Sequence, residues 1–157
     1  MAPPFLQKSS LRNRFLPAYS KWKPNQKEID ALSSRRYFSE IGRLDQIWQW
    51  LSDHHGQVIA VDAPHAQHPE TYTYKEIAEL IELAAAAFLS LGLEQGDVVA
   101  FFSENSPRWL IIDQGLMRID AADAVRGASA PVQELSYILE DCGVKALVVQ
   151  NSELWEK

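Results

Sequence analysis

Val98-Val99-Ala100-Phe101-Phe102, followed by Ser103-Glu104-Asn105-Ser106-Pro107, is the stretch that decides the fold. An unbroken apolar run of this length suits a strand buried on both faces, the pattern of parallel sheets. Ser106-Pro107 then opens a helix, with the serine as N-cap and the proline in the first turn. Trp109, Ile112, Leu116 and Ile119 fall on one side of that helix. Working outward, the same order recurs. Upstream, Thr73-Tyr74-Lys75-Glu76 is a capping box. Tyr74, Ile77, Ile81, Ala84, Ala85 and Phe88 share one helical face, and Gly92-Leu93 supplies a left-handed stop with its apolar partner. Downstream, Pro131 begins a helix with Leu135, Ile138, Leu139 and Cys142 in its apolar stripe. Gly143-Val144 repeats the stop, Ala146-Leu147-Val148-Val149 is a second buried strand, and Asn151-Ser152 caps one more helix.

The flanks are less regular. Leu44, Ile47, Trp48 and Leu51 have helical spacing, and Gly56 ends that segment. Gln57 to Ala63 reads as a short strand, Pro64 to Glu70 as a polar loop, and Thr71 to Thr73 as extended chain. Asp120 to Gly127 has no firm period and is read as a short strand followed by a loop. The alternation of helices with apolar strands predicts an α/β domain of layered helices on a largely parallel sheet. After Val149 the sheet either continues in further sequence or leaves an apolar edge exposed.

With 157 residues, 46% apolar and 23% charged, the composition is that of a soluble globular protein and excludes a disordered tail or a disulfide scaffold. The longest apolar run, Leu83 to Leu89, falls far short of the roughly 18 residues that a membrane span needs. One cysteine, Cys142, cannot form an internal disulfide, which fits a reducing compartment.

The net charge of -6 hides an asymmetry. Residues 1–50 carry nine Lys/Arg against four Asp/Glu, whereas residues 51–157 carry six against seventeen. Residues 1–43 are set apart as a basic, proline-containing arm, and 44–157 as the folded body. Three readings of the arm stand: a solvated arm lying against an acidic body, a membrane-surface arm for anionic lipid, or an organelle transit peptide. The acidic body would repel phosphates, so nucleic acid is excluded as a partner.

Little chemistry is visible. No two of the seven glycines are close enough to build a phosphate loop. His54-His55 and His65-x-x-His68 lack a third metal ligand and read as surface histidines. Cys142 is expected to be a buried, inert thiol, and no pair of carboxylates is buried by pattern. Ser103 to Pro107 and Arg126-Gly127 sit at strand C-terminal ends, the usual ligand side of an α/β sheet. Each is either part of a site or a capped connection without one.

Taken together, Tyr72 to Glu76 with its alanine-rich helix, Leu91-Gly92-Leu93 and Gly96 to Ala100 resemble the N-terminal part of AMP-forming acyl-activating enzymes. Phe102 to Trp109 with Asp113-Gln114-Gly115 resembles the long-chain fatty acid ligase branch. Val61 to His65, Asp123 to Ala128 and Glu134 to Leu139 resemble the cyanobacterial and plastid acyl-acyl-carrier-protein synthetases. The resemblance covers about residues 44–157, the truncated N-terminal part of an AMP-binding domain. One departure is Ile119-Asp120, where relatives carry a small residue and a glycine; the charge is expected to disturb helix–strand packing.

The resemblance implies a ligase that activates fatty acid with ATP to an acyl-adenylate and passes the acyl group to acyl carrier protein or coenzyme A. ATP and Mg2+ are expected for the full-length enzyme and no cofactor for this chain. The family's phosphate loop, acyl tunnel and catalytic lysine lie beyond Lys157, so no catalytic, cofactor-binding or metal residue is assigned. The isolated chain is expected to be inactive. The alternative is a non-catalytic remnant that binds membrane or a partner through its sheet edge. The expected location is cytoplasmic, with peripheral membrane contact through the arm as a candidate, or plastid for a plant or algal source.

Overall fold

Three parallel strands carry the architecture in the computed structural model, which describes residues 25–26, 40–66 and 69–157. A 3-10 turn at Leu44–Gln46 runs into helix α1, Ile47–His55. Strands β1, Ile59–Ala63, and β2, Glu70–Thr73, follow, then helix α2, Tyr74–Ser90. Strand β3, Val98–Phe102, helix α3, Pro107–Arg118, and strand β4, Ala122–Arg126, come next. Helix α4, Val132–Asp141, strand β5, Ala146–Val149, and the short helix α5, Ser152–Glu156, complete the order. Residues 41–157 pack as one unit.

The parallel sheet has the order β4-β3-β5. Val98 to Phe102 therefore lie in the middle, with Phe102 opposite Arg126 on one side and Val149 on the other. β4 and β5 flank β3 on opposite sides. With the right-handed crossover that parallel units obey, α3 and α4 must then cover opposite faces. The core shows this directly. Val99 packs with Phe88, Leu93 and Leu116 on one face, and Ala100 and Phe102 pack with Leu135 and Ala130 on the other. Period-two alternation along one strand thus feeds two separate cores.

β1 and β2 do not join this sheet. They form their own antiparallel pair, with Ala63 opposite Glu70 and Asp62 opposite Thr71. The parallel arrangement expected from the sequence holds for the last three strands.

The helix termini follow the local signals. Thr73 Oγ1 accepts the Glu76 amide at 3.3 Å, and Glu76 Oε2 accepts the Thr73 amide at 2.8 Å, closing the capping box of α2. At its far end Gly92 has φ +84°. Leu93 N–H donates to the Phe88 carbonyl and Gly92 N–H to the Leu89 carbonyl, a Schellman end. α3 ends in the same way on a different residue. Ala121 N–H donates to the Leu116 carbonyl, Asp120 N–H to the Met117 carbonyl, and Asp120 has φ +58°.

This corrects the expectation for Ile119-Asp120. Asp120 occupies the left-handed slot that glycine usually fills, its carboxylate faces outward, and helix α3 still packs on β3 through Leu116. Aspartate tolerates that conformation better than most side chains. Cys142 is a second correction. α4 stops at Asp141 and Cys142 is its C-cap, so the apolar stripe ends at Leu139 and the thiol is exposed.

Candidate functional site

The C-terminal ends of the parallel strands gather polar side chains from several loops. β3 delivers Ser103 and Glu104, β4 delivers Arg126 and Gly127, and β5 delivers Gln150. Ladder bonds extend one residue past the strands: Ser103 N–H donates to the Arg126 carbonyl and Gln150 N–H to the Phe102 carbonyl, each at 3.0 Å. The residues singled out from sequence, 103–107 and 126–127, are therefore brought together.

They are joined mainly to one another. Gln150 Oε1 accepts the Glu104 amide at 2.8 Å, and Glu104 Oε1 accepts the Ser129 amide at 3.2 Å. Ser103 is buried, and its hydroxyl donates to the Glu104 carbonyl at 3.0 Å. Ser106 Oγ accepts the Trp109 amide at 3.1 Å, so the first turn of α3 is capped from within. Arg126 makes a two-pronged pair with Glu134, at 2.7 and 3.1 Å. Asn151 Oδ1 accepts the Leu154 amide, capping α5.

A bound phosphate needs several free amides turned toward it. Here the Glu104, Ser129 and Trp109 amides already have acceptors, and Glu104 adds a carboxylate that would repel an anion. The strand ends thus form a tied connection, and these residues do not fit a nucleotide phosphate. Among the described residues no cluster of three His, Cys, Asp or Glu side chains is spaced to hold a metal ion. His54 and His55 are exposed, and His54 stacks on Trp50 with ring centroids 4.1 Å apart. His68 lies outside the described residues. No helix among the described residues is long and apolar enough to cross a membrane.

Two charged groupings were not anticipated. The first ties the start of the body to the end of α3. Asp45 is buried, its side chain 5% exposed, and it accepts Arg43 Nε and Arg118 Nη1, each at 2.9 Å. Arg118 Nε also reaches Glu82 at 2.7 Å, and Arg43 Nη2 pairs with Asp120. Burial alone would raise the Asp45 carboxyl, but the two guanidinium groups outweigh it and hold the carboxyl below its usual range. Lys145, at 2.8 Å, together with the Glu94 amide, likewise lowers Asp97.

The second is a pair of half-buried carboxylates on two different elements. Asp113 on α3 lies within hydrogen-bonding reach of Asp123 on β4. Burial, then the Asp113 carboxyl, pushes Asp123 up to about 6. Asp123 Oδ2 is shielded from solvent and meets no N–H or O–H donor among the described residues.

The AMP-binding enzyme family matches residues 47–157. The chain is 33% identical over 119 residues to a chloroplastic long-chain-fatty-acid–acyl-carrier-protein ligase of Arabidopsis thaliana, over 76% of this chain and 16% of that protein. It is 24% identical over 114 residues to a long-chain-fatty-acid–CoA ligase of Xenopus laevis, over 73% of this chain and 15% of that protein. The fold superposes on the N-terminal subdomain of Klebsiella oxytoca NpsA with a TM-score of 0.62 and 25% identity, covering 69% of this chain and 28% of that one. The chain thus spans about a sixth of the length of these curated relatives.

Proposed function

This chain belongs to the AMP-binding enzyme family, and on that premise we propose that it is the leading portion of a long-chain fatty acid ligase. In this reading the whole protein converts fatty acid and ATP to an acyl-adenylate and pyrophosphate. It then transfers the acyl group to the thiol of acyl carrier protein or coenzyme A. The observation that carries the reading is the 33% identity to a long-chain-fatty-acid–acyl-carrier-protein ligase across three quarters of the chain. The similarity to a CoA ligase is lower, which favours carrier protein as the acceptor. The relative's chloroplastic name extends to a plastid location only for a plant or algal source.

Residues 40–157 contribute the scaffold in this reading. ATP and Mg2+ would be held by residues outside the described strand ends, whose amides are already bonded and whose Glu104 carboxylate opposes a phosphate. The basic arm, residues 1–43, is the candidate for peripheral contact with the membrane in which fatty acid dissolves.

The test is pyrophosphate release with ATP, Mg2+ and a long-chain fatty acid. The chain of 157 residues alone should release none. The protein that carries this segment in its source cells, isolated by an antibody to it, should release pyrophosphate and acylate holo carrier protein. Turnover by the 157-residue chain alone would overturn the scaffold assignment. Failure of the isolated native protein to activate any long-chain acid would overturn the ligase assignment.

A further inference from the structure

Asp113 and Asp123, both half-buried, form a titratable pair that the ligase reading leaves unused. Its surroundings limit the available donors. Gln114 Nε2 donates to Asp113 Oδ2 at 2.6 Å, and the orientation of that amide is set by Trp48, whose Nε1 donates to Gln114 Oε1 at 2.8 Å. One side-chain amide therefore serves Asp113; the Asp123 carboxylate is met by its own backbone N–H, while its shielded Oδ2 has no donor among the described residues. Two ionised carboxylates in contact repel each other, whereas one proton between them turns the repulsion into a hydrogen bond.

Among the described residues, the cations of the elements around the pair are engaged elsewhere. Arg118, at the end of α3, is held by Asp45 and Glu82. Arg108, at its start, faces Glu70, and Arg126, on the same strand as Asp123, is taken by Glu134. β3 presents only apolar Val99 opposite Asp123. The charges of α2, namely Lys75, Glu76, Glu79 and Glu82, are exposed, as are Asp53, His54 and His55 of α1.

We propose that Asp113 and Asp123 share one proton, and that this proton is a pH-sensitive pin fastening the edge strand β4 to helix α3. β4 is bonded on one side only, to β3, so its docking depends on the contacts its side chains make with α3. With the proton present the strand is held. When the proton leaves, two adjacent anions push β4 away from the helix and local opening becomes easier.

The sign follows from linkage. Asp123 closed near 6 but open near the ordinary value of about 3.9 means that the closed form binds the proton more tightly. Closure is therefore favoured at low pH and weakens as pH rises from about 4 to about 6. The opening equilibrium should rise about tenfold between roughly pH 5 and pH 7.5, flattening above.

Two readings on the protein test this. Carbon-detected NMR of the Asp carboxyl groups should show Asp123 titrating near pH 6; that transition should vanish in Asp123→Asn and move down in Asp113→Asn, where burial still raises the carboxyl but the neighbouring carboxylate is gone. Hydrogen exchange of the amides of residues 122–126, with the intrinsic base-catalysed rise divided out, should accelerate about tenfold over the same pH range. In Asp123→Asn, whose side-chain amide donates permanently to Asp113, it should stay flat. Carboxyl groups that both titrate at ordinary values, or exchange as steep in Asp123→Asn as in the native protein, would overturn the proposal. The native titration stands without the variants should either fail to fold.

Discussion

Gly115→Ala should destabilise this domain, although it replaces a poor helix former with the best one. Gly115 lies inside α3 where that helix crosses α2. A Cβ built there would stand 2.8 Å from Ala84 Cβ, 3.3 Å from the Ala85 nitrogen and 3.4 Å from the Ala84 carbonyl carbon. Carbon atoms rest about 3.5–4.0 Å apart, so one helix must move by roughly 0.7–1.2 Å. The obstacle is partly backbone, so no side-chain rotation relieves it. Such overpacking costs about 1–3 kcal/mol. The helix gain from removing glycine returns about 0.5–1 kcal/mol. The net loss then lies within about 0–2.5 kcal/mol, centred on the order of 1 kcal/mol, or roughly 3–6 °C in Tm for a domain of this size.

The cause is checked by a double-mutant cycle with Ala84→Gly. That change alone should cost about 1 kcal/mol in helix propensity, but in the Gly115→Ala background it removes the atom that clashes. The two effects should therefore couple by about 1 kcal/mol or more, beyond the ~0.5 kcal/mol scatter of independent sites. Urea unfolding followed by far-UV circular dichroism reads all four proteins. A higher midpoint for Gly115→Ala, or a cycle that closes additively, would refute the close-crossing argument.

Two further perturbations probe the charged strap at the end of α3. Asp120→Gly relieves the left-handed residue at φ +58° but loses an exposed pair with Arg43; because surface pairs contribute only about 0–1 kcal/mol, Tm should hold or rise slightly, and a loss above about 1.5 kcal/mol would contradict this. Asp45→Asn should cost about 1–3 kcal/mol at pH 7 by breaking buried charge-assisted bonds. Because the folded Asp45 is lowered below its ordinary value, that stabilisation is complete above about pH 4 and is lost as pH falls through the folded value. The gap between native and variant in urea midpoints should accordingly narrow below about pH 4 and not above it.

Most of the fold was legible because its signals are local. The Thr73–Glu76 box, the Ser106-Pro107 start and the Gly92-Leu93 stop each act within six residues, and each forms as the sequence states. The uninterrupted run of residues 98–102 likewise reports its own burial on both faces. What local pattern cannot report is a partner. The antiparallel pairing of β1 with β2 apart from the main sheet depends on how the chain turns between them, which propensity leaves open. The stop of α3 could have been found. Leu116 to Ala121 repeats the spacing of Phe88 to Leu93, an apolar residue five positions before an apolar residue, with Asp120 standing where Gly92 stands. The charge at Asp120 drew the reading toward disruption, whereas the backbone position mattered more. Cys142 misled for the reverse reason, since its spacing continued a stripe whose helix had already ended.

The carboxylate pair shows where composition misleads about chemistry. In a chain this acidic each Asp reads as solvated surface, and Asp113 and Asp123 lie on different elements joined by a tight turn. Yet the register places Asp123 opposite Val99, a residue with no exposed surface, so alternation alone points its side chain toward the α3 face. An ionisable group on the inward face of an edge strand must find a counter-charge, a donor or a proton. Among the described residues the flanking cations Arg118 and Arg126 are already paired, and the Gln114 side-chain amide is directed to Asp113. The strand ends differ: the Glu104 and Ser129 amides are met by Gln150 and Glu104, so those groups make no demand for an anion. An unmet carboxylate oxygen, rather than position at the usual ligand side of the sheet, is therefore what draws the proposal to Asp113 and Asp123.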